Sequence, residues 1–161
     1  RELIMQIYLQ RIFIAFLSIF IIACGFQLRG SIDANFKSIS INGGSEGLSK
    51  HLKKRFKQSG IEINYENPEK IVEIIADTLN KRILSLSGSG SVQEYELDYE
   101  VKYRFKSPTT EWSQQISIRL SRDFTYDDDD RVAKELEEKN LINGMRDEIV
   151  RSMVSQIMIS N

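Results

Sequence analysis

The chain carries 22 Lys and Arg against 23 Asp and Glu in 161 residues, a formal net charge of −1, with two prolines and nine glycines. That composition fits one ordinary domain and excludes the large basic excess of a nucleic-acid binder. A single Cys excludes an intramolecular disulfide framework, and no Cys/His cluster offers a zinc site.

Residues 12–23 form an apolar run, IFIAFLSIFIIA. It is too short to cross a hydrocarbon core of ~30 Å, which needs roughly 20 helical residues. Its length, with Arg11 as a positive flank, suits the central segment of a secretory signal. The sequence starts with Arg, so Met5, a short step upstream of the run, is the candidate true start. Ile21-Ile22-Ala23-Cys24 resembles the bacterial lipobox, in which a small residue precedes a Cys whose sulfur receives diacylglycerol. The alternative is a short anchor with a buried Cys. Three acyl chains on Cys24 would hold the protein far more firmly than one chain, which binds only marginally. Residue 25 is Gly; in the sorting rule this resembles, Asp there retains a lipoprotein at the inner membrane, so the periplasmic face of the outer membrane is expected. The chain then divides into a signal peptide over 1–23, a lipidated N-terminus and tether over 24–36, and a single α+β domain over 37–161. Taking away residues 1–23 removes Arg1, Arg11 and Glu2 and leaves 20 basic against 22 acidic groups.

Residues 37–42 alternate, with Ile39 and Ile41 on one face, and run into Gly43-Gly44. Leu48, Leu52 and Phe56 then recur at helical spacing among lysines, predicting a short amphipathic helix ended by Gly60. A second strand follows over 61–65. Residues 71–86 read as a long strand whose apolar positions change phase near Asp77–Lys81, predicting a bulge there. Gly88-Ser89-Gly90-Ser91 makes a loop. Over 92–106, Tyr95, Leu97, Tyr99, Val101, Tyr103 and Phe105 point one way and charged residues the other, as in an antiparallel sheet covered on one side. Trp112, Ile116, Ile118, Leu120, Phe124 and Tyr126 repeat the pattern on the next strand. Asp127–Asp130 opens a final helix at its favourable end. That helix has an apolar stripe through Val132, Leu136, Met145, Ile149, Met153 and Ile157, with a kink or break expected at Asn143-Gly144. The order β-α-β-β-β-β-α predicts a two-layer α+β sandwich: a mostly antiparallel, mixed sheet with two helices on one face.

Chemistry is hard to find in this pattern. His51 is the one histidine and lies among lysines, with no nucleophile motif nearby. The run of four Asp lacks the alternation, central Gly and terminal Glu of a calcium loop. The Ser-Gly loop joins two strands, so it cannot cradle a phosphate at a helix N-terminus. The carboxylates of 94–100 read as a solubilising strand face. No catalytic residue, metal or cofactor is expected beyond the covalent lipid on Cys24.

Cys24-Gly25-Phe26-Gln27-Leu28-Arg29-Gly30, Glu94-Tyr95-Glu96-Leu97, Arg122-Asp123-Phe124 and Ala133-Lys134-Glu135-Leu136-Glu137, in that order, resemble the lipopolysaccharide-assembly lipoproteins of the LptE family over nearly the whole processed chain. The resemblance implies an outer-membrane lipoprotein that plugs the lipopolysaccharide-translocating β-barrel LptD, helps it assemble and binds lipopolysaccharide during export. Neither nucleic acid nor catalysis belongs to that role. Basic side chains near strand-loop tips contact lipopolysaccharide in the family, and by position Lys134 matches one of them. The other falls before Glu94-Tyr95, where this chain has Gly88, Ser89 and Gly90. Lys81 and Arg82, upstream on the same strand, are the substitutes, unless they lie on a solvated strand face. Two other readings stay open: an auxiliary lipoprotein of another envelope lipid-transport system, and an exported hydrolase using His51.

Overall fold

The structure is a computed structural model that describes residue 11 and residues 34–160; the apolar run, Cys24 and the motif up to Gly30 lie outside the described residues. Strand β1 (Ser38–Gly43) leads into helix α1 (Glu46–Gln58), then β2 (Glu62–Ile63), β3 (Lys70–Leu86), β4 (Val92–Lys106) and β5 (Ile116–Thr125). A 3₁₀ turn over Asp128–Asp130 precedes helix α2 (Arg131–Ile159). The five strands form one mixed sheet in the order β2-β1-β3-β4-β5. β1 is parallel to both of its neighbours, and β3-β4-β5 is an antiparallel meander. This is the expected two-layer α+β sandwich. A parallel pair needs a crossover, and α1 supplies it between β1 and β2.

Each element forms for a local reason. Gly43 and Gly44 take positive φ, and a Cβ on Gly43 would sit 2.4 Å from the Ile74 carbonyl oxygen, so the turn after β1 requires glycine. Ser45 caps α1, its hydroxyl accepting from the Leu48 backbone N–H at 3.2 Å. Leu48, Leu52 and Phe56 are fully buried beneath it. The alternation of β4 turns Leu97, Tyr99, Val101 and Tyr103 into the core, where Met145, Ile149, Met153 and Ile157 of α2 meet them. Tyr103 donates its hydroxyl to Gln156 at 2.8 Å, which ties sheet to helix. Burial holds that phenol protonated by raising its pKa.

Three features depart from the sequence reading. The first break in β3–β4 register falls between Ile74 and Ala76, leaving Ile75 unpaired, rather than at 77–81; further shifts occur between Ile83 and Leu86. The helix runs unbroken through Asn143-Gly144, because Gly144 is exposed with open space around it and packing on either side outweighs its low propensity. Trp112 lies before β5 and stacks under Arg104 (4.5 Å) and Lys106 (5.1 Å) instead of joining the core.

Candidate functional site

The bulge at Ile75 decides where the candidate cations point. Before it, Val72 and Ile74 stand opposite Phe105 and Tyr103 on the helix side of the sheet. Beyond it the odd-numbered residues take over that side, so Leu79, Lys81 and Ile83 stand opposite Tyr99, Leu97 and Tyr95. Lys81 therefore faces the helical layer. Its Nζ lies 4.1 Å from the Tyr95 ring centre and 5.4 Å from that of Phe124, and donates to Glu138 of α2 at 2.6 Å. Arg82 faces the other way, paired with Glu96 in the polar ladder of the open face.

Lys134 sits in the first turns of α2. Its ammonium donates to Thr125 Oγ1 at 3.0 Å and Glu137 Oε2 at 2.9 Å. Lys81 meets the ring of Phe124 and Lys134 bonds Thr125, the next residue of β5, so both stand at the same end of the sheet, beside an aromatic cluster. Tyr95 stacks on Phe124 with centres 5.7 Å apart and meets Tyr126 edge-on at 5.2 Å. Arg82 is not part of this group. The Ser87–Ser91 loop closes on itself through the Ser87 N–H donating to the Ser91 carbonyl at 2.8 Å, and it brings no cation.

Four large apolar side chains of β3 and α2 are exposed among the charged ones. Ile83 is 54% exposed, Leu86 56%, Leu136 59% and Val132 81%. Val132 and Leu136 were expected in the core stripe; they lie instead on the half of α2 that reaches beyond the packed core. An open groove of about 600 Å³ runs beside them, lined by Leu136, Leu141 and Met145, with Arg122 and Glu148 at its polar margin. Sequence reasoning missed the exposed rim because α2 outruns the core, and missed the meeting of Lys81 with Glu138 because it emerges only from strand register.

The open face of the sheet is different in kind. Arg119 pairs with Asp98 at 2.7 Å, Ser121 donates to Glu96 at 2.7 Å, and Ser117 donates to Glu100 at 2.9 Å. Arg82 and Arg119 hold the carboxyl groups of Glu96 and Asp98 below the usual carboxylate range, and the Ser117 hydroxyl does the same for Glu100. His51 pairs with Asp147 at 2.7 Å, and among the described residues no group of His, Cys, Asp and Glu is gathered for a metal.

The sequence profile of LptE, described as lipopolysaccharide-assembly, matches residues 36–157. The chain belongs to the LptE family. Solved relatives agree. An uncharacterized lipoprotein B from Nitrosomonas europaea is 30% identical, with a TM-score of 0.71 over 83% of this chain and 90% of that one. Rare lipoprotein B from Shewanella oneidensis is 27% identical, with a TM-score of 0.61 over 74% and 95%. A minor lipoprotein from Acinetobacter baumannii shares the fold at 16% identity, with a TM-score of 0.63 over 78% and 92%. No curated protein matches the sequence. LptE membership puts the chain in lipopolysaccharide assembly, and the LptE family is not known as an enzyme family or as one that needs a cofactor.

Proposed function

We propose that this LptE-family chain is held at the periplasmic face of the outer membrane through lipidated Cys24, plugs an LptD-type β-barrel and binds lipopolysaccharide during its export. The observation that carries the binding role is that Lys81, on the rings of Tyr95 and Phe124, and Lys134, on Thr125, stand at one end of the sheet, with Ile83, Leu86, Val132 and Leu136 exposed on the same strand β3 and helix α2. Lipopolysaccharide combines phosphates with acyl chains. Ammonium groups answer the first by charge-assisted hydrogen bonds and the apolar rim answers the second. Glu138 and Glu137 hold the two ammonium groups in place until a phosphate of higher charge competes for them.

The plug role draws support from the other face. A barrel lumen is polar and wet, and the open side of β3–β5 presents ion pairs and hydroxyls along its length. Arg82, on that side, serves the lumen contact better than it serves lipopolysaccharide. Lys81→Met and Lys134→Met preserve the buried stems while removing both charges. Retention of lipopolysaccharide by the double variant should fall at least tenfold, from the loss of charged hydrogen bonds of about 1.5–3 kcal/mol each. Unchanged retention in a folded double variant would remove these residues from the site.

A further inference from the structure

Among the described residues the cations are unevenly neutralised. On the sheet, Lys81, Arg82, Lys102, Arg104, Arg119 and Arg122 each meet a carboxylate. Helix α1 is the opposite case. Its sequence EGLSKHLKKRFKQ holds five Lys and Arg against one Glu. Among the described residues, none of Lys50, Lys53, Lys54, Arg55 and Lys57 makes an ion pair, and neither does Arg151 across the shallow depression that α1 and α2 share. Asp147, the carboxylate lining that depression, is engaged by His51 at 2.7 Å. Leu48, Leu52 and Phe56 fix the opposite side of α1 to the core, so the basic side is held outward along about 20 Å of helix.

The position of this surface matters as much as its charge. Helix α1 ends at Gln58, and the chain returns immediately to β2, where Glu62 donates its N–H to the Lys37 carbonyl at 2.9 Å. The last turns of α1 therefore lie at the end of the domain where residues 34–37 lead in from the N-terminal segment. Ser160, closing α2, reaches the same end, its carbonyl accepting from Lys70 at 3.2 Å. Glu62 shares the register position of Ser38, on the sheet side away from the helices, and so does not neutralise the patch. Ala34 lies ten positions after Cys24, a reach of about 35 Å at full extension.

We infer that the outward face of α1, with Arg151, is an electrostatic docking surface for anionic phospholipid headgroups. It rests for its orientation on the proposed anchor at Cys24, which would hold this end of the domain toward the bilayer while the opposite end, with Lys81 and Lys134, enters the barrel. The two attachments reinforce one another, because a lipid anchor and a basic patch together bind more stably than either alone. Each Lys or Arg close to an anionic bilayer strengthens partitioning about fivefold, and salt removes the effect within a Debye length of about 10 Å at 0.1 M.

The test uses the processed chain, residues 24–161, carrying Cys24→Ala, so that no acyl chain contributes and failure of the anchor reading stays separate. Co-flotation is measured with vesicles of phosphatidylethanolamine and phosphatidylglycerol, and with vesicles of phosphatidylcholine alone. Binding is expected only to the anionic vesicles, reversed by salt. Replacing Lys53, Lys54 and Lys57 by Gln should lower it about a hundredfold. Replacing Arg82, Lys102 and Arg119 by Gln, an equal loss of charge on the sheet at cations already paired with carboxylates, should leave it nearly intact. The inference is overturned if neither vesicle binds, if the two variants lose binding equally, or if inorganic phosphate displaces the chain more effectively than chloride of the same ionic strength, which would indicate a discrete phosphate site instead.

Discussion

Val132 and Leu136 separate stability from function within one helix. They are 81% and 59% exposed, whereas Leu52 of α1 is fully buried. Full burial of a Leu or Val side chain contributes about 1.5–3 kcal/mol, so what these two already bury is worth about 1 kcal/mol together. Val132→Gln with Leu136→Gln, both good helix formers, should therefore shift the urea midpoint only slightly. Leu52→Ala removes side-chain volume from a filled core and should cost about 2–5 kcal/mol, a midpoint shift of about 1–2 M. Lipopolysaccharide retention should show the reverse order. Covering the area that remains exposed on the two rim residues would contribute about 2 kcal/mol, so the double Gln variant should retain lipopolysaccharide at least tenfold less well. Urea unfolding followed by circular dichroism and capture of labelled lipopolysaccharide on the immobilised chain give both numbers. The reasoning fails if the rim variant unfolds as early as Leu52→Ala, or if it retains lipopolysaccharide as well as the parent.

Gly43→Ala forces a left-handed conformation on a residue with a Cβ and drives it against the Ile74 carbonyl; thermal unfolding should show a loss of about 2–3 kcal/mol or more. Glu96, Asp98 and Glu100 have pKa values depressed in the folded state, so their contribution is present above the ordinary carboxylate range and is lost as pH falls below about 4. An acid titration of unfolding should show that loss, and Arg82→Gln with Arg119→Gln should flatten it. Cys24→Ala should abolish acyl-chain labelling of the processed protein; labelling that persists would refute the attachment site.

Much of the fold was legible because β4 carries an unambiguous alternation and α1 a clean helical period. Leu97, Tyr99, Val101 and Tyr103 are buried as that alternation requires, and Leu48, Leu52 and Phe56 as the helical period requires. The site was less legible, for a reason that one residue explains. Ile75 is apolar yet unpaired and exposed, so the phase change of β3 could be drawn at several places in the sequence. A shift of one residue exchanges the two faces of a strand. The side on which Lys81 stands, and hence its meeting with Tyr95 and Glu138, followed only from register. The helix stripe misled in a similar way: Val132 and Leu136 keep the core period, but α2 outruns the core. Lys134 was identified by its place in a motif, while Thr125 and Glu137, which position it, carry no signal of their own.

The most direct measurement is an affinity pull-down with the full chain from solubilised outer membranes, analysed for large β-barrel proteins and for lipopolysaccharide. The account predicts that a single large barrel and lipopolysaccharide are recovered together. Recovery of neither, or of a periplasmic transporter complex in their place, would contradict it.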